Sequence, residues 1–594
     1  MIILKINRVK TANGDYNYYL AKSVRKNNKV STVNLKPLGK HSELLKIYDD
    51  PFLELKKYAK EKTLEERIEQ GDLNYQLIQR PLNSNEAISN TKLKNIGHFY
   101  LSDIIDGLDL KGLFKDIKEN LKIKYDPYQI TKHLIIDRVI YPRSKFGTYK
   151  HLHQYYSAPQ IKNQDIFKTL DLISNNLLTY QEHLYKNSRK IVKRNTKVLY
   201  YDCTNFYFET NKTGGLIQHV FGKDKNGKPL VGLGLFMDGD GIPLAFDVHS
   251  GNTNEQTTVL PLERKIVKDF GLSDFIYISD GGINSNEIRF FNTLNNRDFI
   301  LSETLKKLSK EDLEIVFSND NWYELGDKRN KRYLMEDILK FEKEKPNEAI
   351  NRVFYKDFIL NKPIDIGLKE KTENNRITNK TAFKQRLIVT YKPKYKLYKE
   401  ALRLGQIERA YKIINNKTYN NKKANNPNRY IDLGINHENV DIDLKTLEKD
   451  IKFDGYYGLV TSLFEDSVED ILKVNSFKWK IEDNIKVFKF HLKTRPVFHR
   501  MDERIIAHLT ICFTALLVIR LLENLIDDPT FTTTQILNQL KTMQVNPTNL
   551  SIYEATYTGS NLLDKLDEIF NKNLRMDKYT NIQLNKNKRN SLIK

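Results

Sequence analysis

Apolar and polar positions alternate from residue 2 to about residue 47, as in Tyr16-Asn17-Tyr18-Tyr19-Leu20-Ala21-Lys22-Ser23-Val24, with Asn13-Gly14 and Lys26-Asn27-Asn28 as turn signals. A period of two predicts a small antiparallel sheet. From Pro51 to Arg80 the pattern becomes helical and charged, and Pro81-Leu82-Asn83-Ser84-Asn85 reads as a linker. Residues 98 to 190 carry helical blocks, among them Leu101-Ile104-Ile105-Leu108 and Ile130-Leu134-Ile135-Val139-Ile140, broken at Pro127 and Pro142. Between 196 and 301 the period switches to strands. Val198 to Phe208 is an apolar, aromatic run. Pro229 to Asp238 and Ile242 to Val248 flank Gly239-Asp240-Gly241 as a hairpin. A helix is predicted from about Asn254 to Lys268, then a strand at Phe275 to Ser279, a helix start at Asn284-Ser285-Asn286-Glu287 and a strand at Phe299-Ile300-Leu301.

Residues 302 to about 454 are polar and rich in Lys and Asn, with strand signals around Trp322 and at Arg386 to Tyr391 and a helix from Tyr398 to Asn415. The interval is too long for a loop and predicts an inserted subdomain. The apolar strand Tyr456 to Ser462 resumes the core. A helix follows from about Ser467 to Leu492, with a break near Asn475, and its residues Ile481, Ile485, Phe488 and Leu492 share one face. Asp502 to Leu525 is a long apolar helix, and helical fragments around Pro529 and Pro547 lead to a basic tail.

The 594 residues suffice for roughly three to five domains. Lys and Arg exceed Asp and Glu by 97 − 75 = 22, a positive field that attracts polyanions, nucleic acid first among them. Cys203 and Cys512 both sit in apolar runs, as small core residues of a reducing compartment do, and neither belongs to a Cys/His cluster of zinc-binding spacing. The N-terminus turns charged too early for an export signal. The apolar stretch Ile505 to Ile526 contains His508, Arg520 and Glu523, and its uninterrupted part is shorter than the roughly 20 residues of a membrane span, so it reads as a core helix.

Candidate chemistry lies in the carboxylates. Asp202 stands inside the strand Val198 to Phe208, with no basic residue between Leu199 and Thr210. An ionised Asp facing a core needs a Lys or Arg from elsewhere, a raised pKa or a divalent cation; alternatively, it faces solvent from an alternating strand. Asp280 ends a buried strand just before Gly281-Gly282, where ligands gather in α/β sheets and where turn-capping Asp residues also occur. Glu482 lies beside the apolar helical stripe, with Lys478, Lys486 and Lys489 on its side, a pattern that also fits ordinary Glu-to-Lys pairing on a surface helix. Around Pro142, the basic, aromatic turn Arg138-Val139-Ile140-Tyr141-Pro142-Arg143-Ser144-Lys145 offers Arg138, Arg143 and Lys145 to phosphates, or forms a solvated rim on a helical bundle.

In this order, Asp202, Asp280 and Glu482 resemble the acids of bacterial insertion-sequence transposases of the DDE type, in the group with a Tyr-Arg-Glu-Lys motif and a β-rich insertion in the core. The resemblance is carried by Val198-Leu199-Tyr200-Tyr201-Asp202-Cys203-Thr204, Ser279-Asp280-Gly281-Gly282-Ile283-Asn284-Ser285, Tyr456-Tyr457-Gly458-Leu459-Val460-Thr461-Ser462, Trp479-Lys480-Ile481-Glu482 and Lys493-Thr494-Arg495-Pro496-Val497-Phe498-His499. Glu482 and Lys489 match the motif's Glu and Lys, whereas Lys478 replaces its Arg and Asn475 its Tyr. An amine still neutralises phosphate but lacks the bidentate fork of a guanidinium.

The resemblance implies an α/β chain with an RNase H-like mixed-sheet core interrupted by a β-rich insertion. Expected boundaries are 1–85 (small sheet and helix), 86–195 (helical DNA-binding region), 196–301 and 455–526 (the two parts of the core), 302–454 (insertion) and 527–594 (C-terminal helices). It also implies two Mg²⁺ ions, with Mn²⁺ as a substitute. Hard carboxylate oxygens suit such ions. Asp202 is expected to bridge both ions, Asp280 and Glu482 to hold one each, and Lys478, Lys486 and Lys489 to contact DNA. Trp322 in the insertion is the candidate for stacking on an extruded base, as an aromatic side chain does in related enzymes; alternatively it packs the insertion's own small core. Partners would be double-stranded DNA, both terminal inverted repeats and target, bound by a synaptic homodimer in the bacterial cytoplasm. Two other functions compete: a catalytically silent DNA-binding protein descended from a transposase, and an RNase H-like nuclease without strand transfer.

Overall fold

A computed structural model describes residues 4–26, 29–69, 93–119, 121, 123–209, 212–219, 228–360, 367–372, 375–380, 383–417, 427–433, 440–548 and 552–589. The expected linker Pro81 to Asn85 and the last five residues lie outside them. The chain divides into two compact units, one formed by residues 193–490 and 495–502, the other by residues 1–192, 491–494 and 503–594.

The first of these units is built on a ten-stranded mixed sheet. Its strands in chain order are β1 (Val198–Tyr207), β2 (Leu230–Asp238), β3 (Pro243–Ser250), β4 (Ile276–Ser279), β5 (Asp298–Glu303), β6 (Trp322–Glu324), β7 (Arg332–Tyr333), β8 (Phe354–Ile359), β9 (Arg386–Tyr391) and β10 (Tyr456–Thr461). In space they run β7-β6-β8-β9-β10-β5-β4-β1-β2-β3. β1, β2 and β3 form an antiparallel meander, and β4 and β5 then add in parallel on the other side of β1. β10 joins β5 antiparallel, and β9, β8, β6 and β7, all from residues 302–454, extend the sheet beyond it. The same interval also contributes helices, including Lys310–Phe317 and Pro393–Asn415.

The sheet is covered on both faces because β1 is apolar on both. Tyr200 joins Met237, Ile278, Ile300 and Leu459 in a buried cluster with Val468 and Ile471 of helix α3 (Val468–Ser476) and Ile481 of helix α4 (Trp479–Lys486). On the other face Tyr201 meets Thr258 of a helix at 2.7 Å between oxygens. That helix, α1 (Glu255–Asp269), starts where Asn254 caps the Gln256 N–H; α2 (Asn286–Phe291) starts where Ser285 caps the Ile288 N–H. Both starts coincide with those predicted from the sequence.

In the other unit the alternating N-terminal segment forms the predicted antiparallel sheet, Leu4–Lys10, Tyr16–Lys26 and Lys29–Lys40. Helix Pro51–Glu69 packs Ala59 against Leu4 and Leu20. The helix Pro127–Ile140 has Pro at its first turn and Asp126 accepting from the Tyr128 and Gln129 N–H groups. Most of Asp502–Ile526 belongs to this unit. It is the one described helix long and apolar enough to cross a membrane, and 89% of that apolar window is buried within the protein. A four-stranded sheet pairs Lys94–Asn95 with strands from residues 544–580, tying the two ends of this unit's sequence together.

A candidate carboxylate site

β1 and β4 are neighbours in parallel register, Leu199 beside Tyr277 and Tyr200 beside Ile278. Asp202 stands two residues further along β1, and Asp280 directly follows the last residue of β4. Side chains two apart in a strand share a face, so Asp202 follows Tyr200 onto the face covered by α3 and α4, and Asp280 is tied to the same side by its ion pair with Lys478, just before α4. Adjacent strands lie about 4.8 Å apart. Asp202 is half-buried and Asp280, just past the end of β4, is exposed.

The Cys203 N–H donates to Asp202 Oδ1 at 2.8 Å. Burial pushes the Asp202 carboxyl up to about 6, against that hydrogen bond; the negative charges of Asp280 and Glu255 add to the rise and Lys478 opposes it. Asp280 forms an ion pair with Lys478, whose ammonium also donates to Ser302 Oγ at 3.2 Å and to the Ser279 carbonyl at 3.4 Å. The positive partner that β1 lacks locally is therefore supplied by α4.

Helix α4 is fixed over the sheet by three contacts. Ile481 is buried, Asn484 Nδ2 donates to the Gly241 carbonyl at 2.8 Å, and Lys480 Nζ donates to the Gly239 carbonyl at 3.0 Å. Glu482 lies one turn after Lys478 and on the same flank, exposed. Further along, Phe488 packs on Phe206 with ring centroids 5.7 Å apart. Lys489 is half-buried, with its amine 6.0 Å from the Phe206 ring centre. Burial and Arg495 lower its pKa, and Asp202 raises it, so the two side chains feel each other's charge. Lys486 is exposed.

Asp202 and Asp280 are near enough for the charge of one to raise the pKa of the other, but no group of three acidic, His or Cys side chains is gathered to metal-ligating distance among the described residues. A divalent cation fits the Asp202–Asp280 pair on chemical grounds: two carboxylates stand side by side, one held protonation-prone by burial, and a cation beside them would relieve the repulsion. The Lys478 ammonium is in the position of such a charge on Asp280.

Glu255 was not marked by the sequence. It opens α1 on the opposite face, and its charge reaches both Asp202 and Cys203. In sequence it is an ordinary acidic residue in a first helical turn, which is why nothing singled it out.

Three sequence expectations need correction. Trp322 is fully buried in β6, donating from Nε1 to the Ser318 carbonyl at 3.3 Å and packing against Tyr456, with the Lys356 amine 4.5 Å from its ring centre. It is a core residue and has no face for a base. Arg138 is buried in the other unit, donating to the carbonyls of Leu492 at 3.2 Å and Arg143 at 2.8 Å. Lys145 is buried beside His508, at 3.3 Å from its Nδ1, and burial lowers its pKa to about 7. Neither can reach a phosphate in this structure. Their partners come from residues 492 and 508, more than 350 positions away, so local sequence could not reveal them. Arg143 is partly exposed, donating to Gln154 Oε1 at 2.7 Å, lying 3.8 Å from Asp137 and stacking over Tyr141.

No protein-family model matches the chain, and no curated protein matches it. Among solved structures, a cryo-EM structure of the piggyBac transposase synaptic complex with hairpin DNA is similar over 75% of this chain and 78% of that one, at 8% identity and a TM-score of 0.32. A likeness at that level says nothing about this chain's chemistry.

Proposed function

We propose that the protein is a DDE-type DNA transposase that cleaves phosphodiester bonds at insertion-sequence ends and joins them to target DNA. The observation that carries this reading is that two adjacent parallel strands bring Asp202, inside one, and Asp280, just past the end of the other, near enough to feel each other's charge, under the helix that carries Glu482. The strand order β3-β2-β1-β4-β5, with three antiparallel strands followed by two parallel ones, supports an RNase H-like core, and the large excess of positive charge supports a polyanionic substrate.

In this reading Asp202, Asp280 and Glu482 would hold two Mg²⁺ or Mn²⁺ ions, which when bound would supply positive charge to the phosphodiester oxygens. The protein's own part is to position. β1 and β4 set the spacing of the two Asp residues, and α4, anchored by Ile481 and Asn484, sets the approach of Glu482. Lys478 leaves Asp280 for a DNA phosphate, and Lys486 and Lys489 neutralise the backbone on either side. The DNA is double-stranded, with terminal inverted repeats held by a homodimer in a bacterial cytoplasm.

A second reading, a catalytically silent DNA-binding protein, is favoured by the Lys478–Asp280 ion pair and by the dispersed acids among the described residues. One assay separates the possibilities. A supercoiled plasmid carrying the inverted repeats that flank the gene is incubated with protein and Mg²⁺. Cleavage at the repeats and joined products are expected, and both vanish in Asp202→Asn. Binding without cleavage establishes the silent protein, and cleavage without joining a plain nuclease.

A further inference from the structure

Two cavities open between β5, β10 and the helices inserted between them. The first, of about 420 Å³, begins at Gly281 and Ser302, directly beside Asp280 and Lys478. Ser302 Oγ is shared between the Lys478 ammonium and the Tyr457 hydroxyl, so a hydrogen-bonded path runs from the carboxylate pair into this cavity. The second, of about 690 Å³, lies beyond it, and the two share Lys306, Arg429, Asp450 and Phe453 in their walls. Together they make one cleft leading away from the carboxylates across residues 302–454.

Charge is distributed unevenly along this cleft. Near the carboxylates it is close to balance, since Arg403 is paired with Asp454, and Lys306 and Arg429 with Asp450. Beyond these shared residues the far end adds Lys310, Lys449 and Lys452 and one carboxylate, Glu314, three cations to one. Lys310, Lys449 and Lys452 are exposed, the first opening helix Lys310–Phe317 and the other two at the end of helix Leu444–Ile451. Phe317 and Phe453 form the apolar wall between them, their rings edge to face at 5.1 Å, with the Lys452 amine 4.4 Å from the Phe317 centre. At the near end Tyr395 and Tyr457 line the wall.

Cations alternating with half-buried aromatic rings suit a chain of phosphates whose bases are unpaired, because a base can stack on a ring only when its own partner has left it. The cavity volumes are those of pockets for groups of small-molecule size, too narrow for a duplex. We infer that this cleft holds a single-stranded stretch of DNA adjoining the cleaved bond, with its backbone on Lys310, Lys449 and Lys452. The inference rests on the transposase reading for its substrate, but it concerns binding and not chemistry.

The test uses the full-length protein without metal, a fluorescent 20-nucleotide oligothymidylate and a duplex of equal length, titrated at several salt concentrations. The triple variant Lys310→Gln, Lys449→Gln, Lys452→Gln is compared with wild type. A control triple variant, Lys268→Gln, Lys340→Gln, Lys343→Gln, removes the same charge from exposed positions elsewhere in the same unit. Three lost phosphate contacts lower the salt slope for the single strand by about 2 and its affinity by on the order of tenfold to a hundredfold at 0.1 M salt, with the control near wild type. An unchanged slope in the cleft variant overturns the inference. So does an equal loss in the control, which would assign the effect to net charge, or a loss confined to the duplex. Unaltered thermal melting of both variants shows that folding is intact. Because the readout is metal-free binding, it stands or falls separately from the cleavage assay.

Discussion

Replacing Asp202 with Asn is expected to make the protein more stable while abolishing cleavage. The folded-state carboxyl titrates at about 6, against 3.8 for a free Asp. The difference of roughly 2 units corresponds to about 3 kcal/mol of stability. Because the folded-state value is the higher one, the folded form holds its proton longer than the unfolded form. Stability is unpenalised below about pH 4, falls as the pH rises toward 6, and carries the full cost above it. Asn keeps the acceptor for the Cys203 N–H and removes the buried charge. Urea unfolding of wild type and Asp202→Asn, followed in parallel from pH 4 to pH 8 without divalent ions, should give curves that coincide near pH 4 and separate by up to about 3 kcal/mol by pH 8. Saturating Mg²⁺ should raise the stability of wild type and not that of the variant. A variant no more stable than wild type at pH 8, or an advantage equally large at pH 4, would refute the assignment of Asp202 as a buried acid strained by Asp280 and Glu255.

Lys478→Met should raise the affinity for Mn²⁺ in the absence of DNA, by roughly fivefold to tenfold for the loss of one like charge near 4 Å, and lower cleavage; electron paramagnetic titration of free Mn²⁺ reads the first, and unchanged affinity would show that Lys478 does not compete for Asp280. Arg138→Ala should cost about 2–3 kcal/mol in thermal or urea unfolding, because it strands the Leu492 and Arg143 carbonyls, with no change in the salt slope of duplex binding. DNA should quench the fluorescence of Trp479, which is 58% exposed beside Glu482, and leave that of buried Trp322 unchanged. The quench should therefore survive in Trp322→Phe and disappear in Trp479→Phe; the reverse would return Trp322 to the DNA surface.

Much of the core was legible because its signals are local. The aromatic run of β1, the Gly239-Asp240-Gly241 hairpin, the Asn254 and Ser285 caps and the apolar stripe of α4 each depend on residues within a few positions of one another. Whether Asp202 faced solvent or a site was not legible, since a strand apolar on both faces gives no alternation to read. Nor did residues 302–454 announce that four of their strands continue the same sheet, because an edge between strands is set by partners, here β10 with β5 and β9. Between a stacking Trp322 and a core Trp322 the sequence could not choose for a related reason: the residue that covers it, Tyr456, lies more than 130 positions later.

By itself, the sequence determined where helices and strands form, the strong positive charge and the identity of three acids in order, since each follows from nearest-neighbour chemistry. Only the tertiary structure decided that Asp202 and Asp280 come near enough to feel each other's charge, that Lys478 neutralises Asp280, that Glu255 adds its charge from the opposite face, and that Arg138 and Lys145 are buried. Those relations are distances across the fold. They are set by strand register and helix packing, through which residues hundreds of positions apart come to share one electrostatic environment.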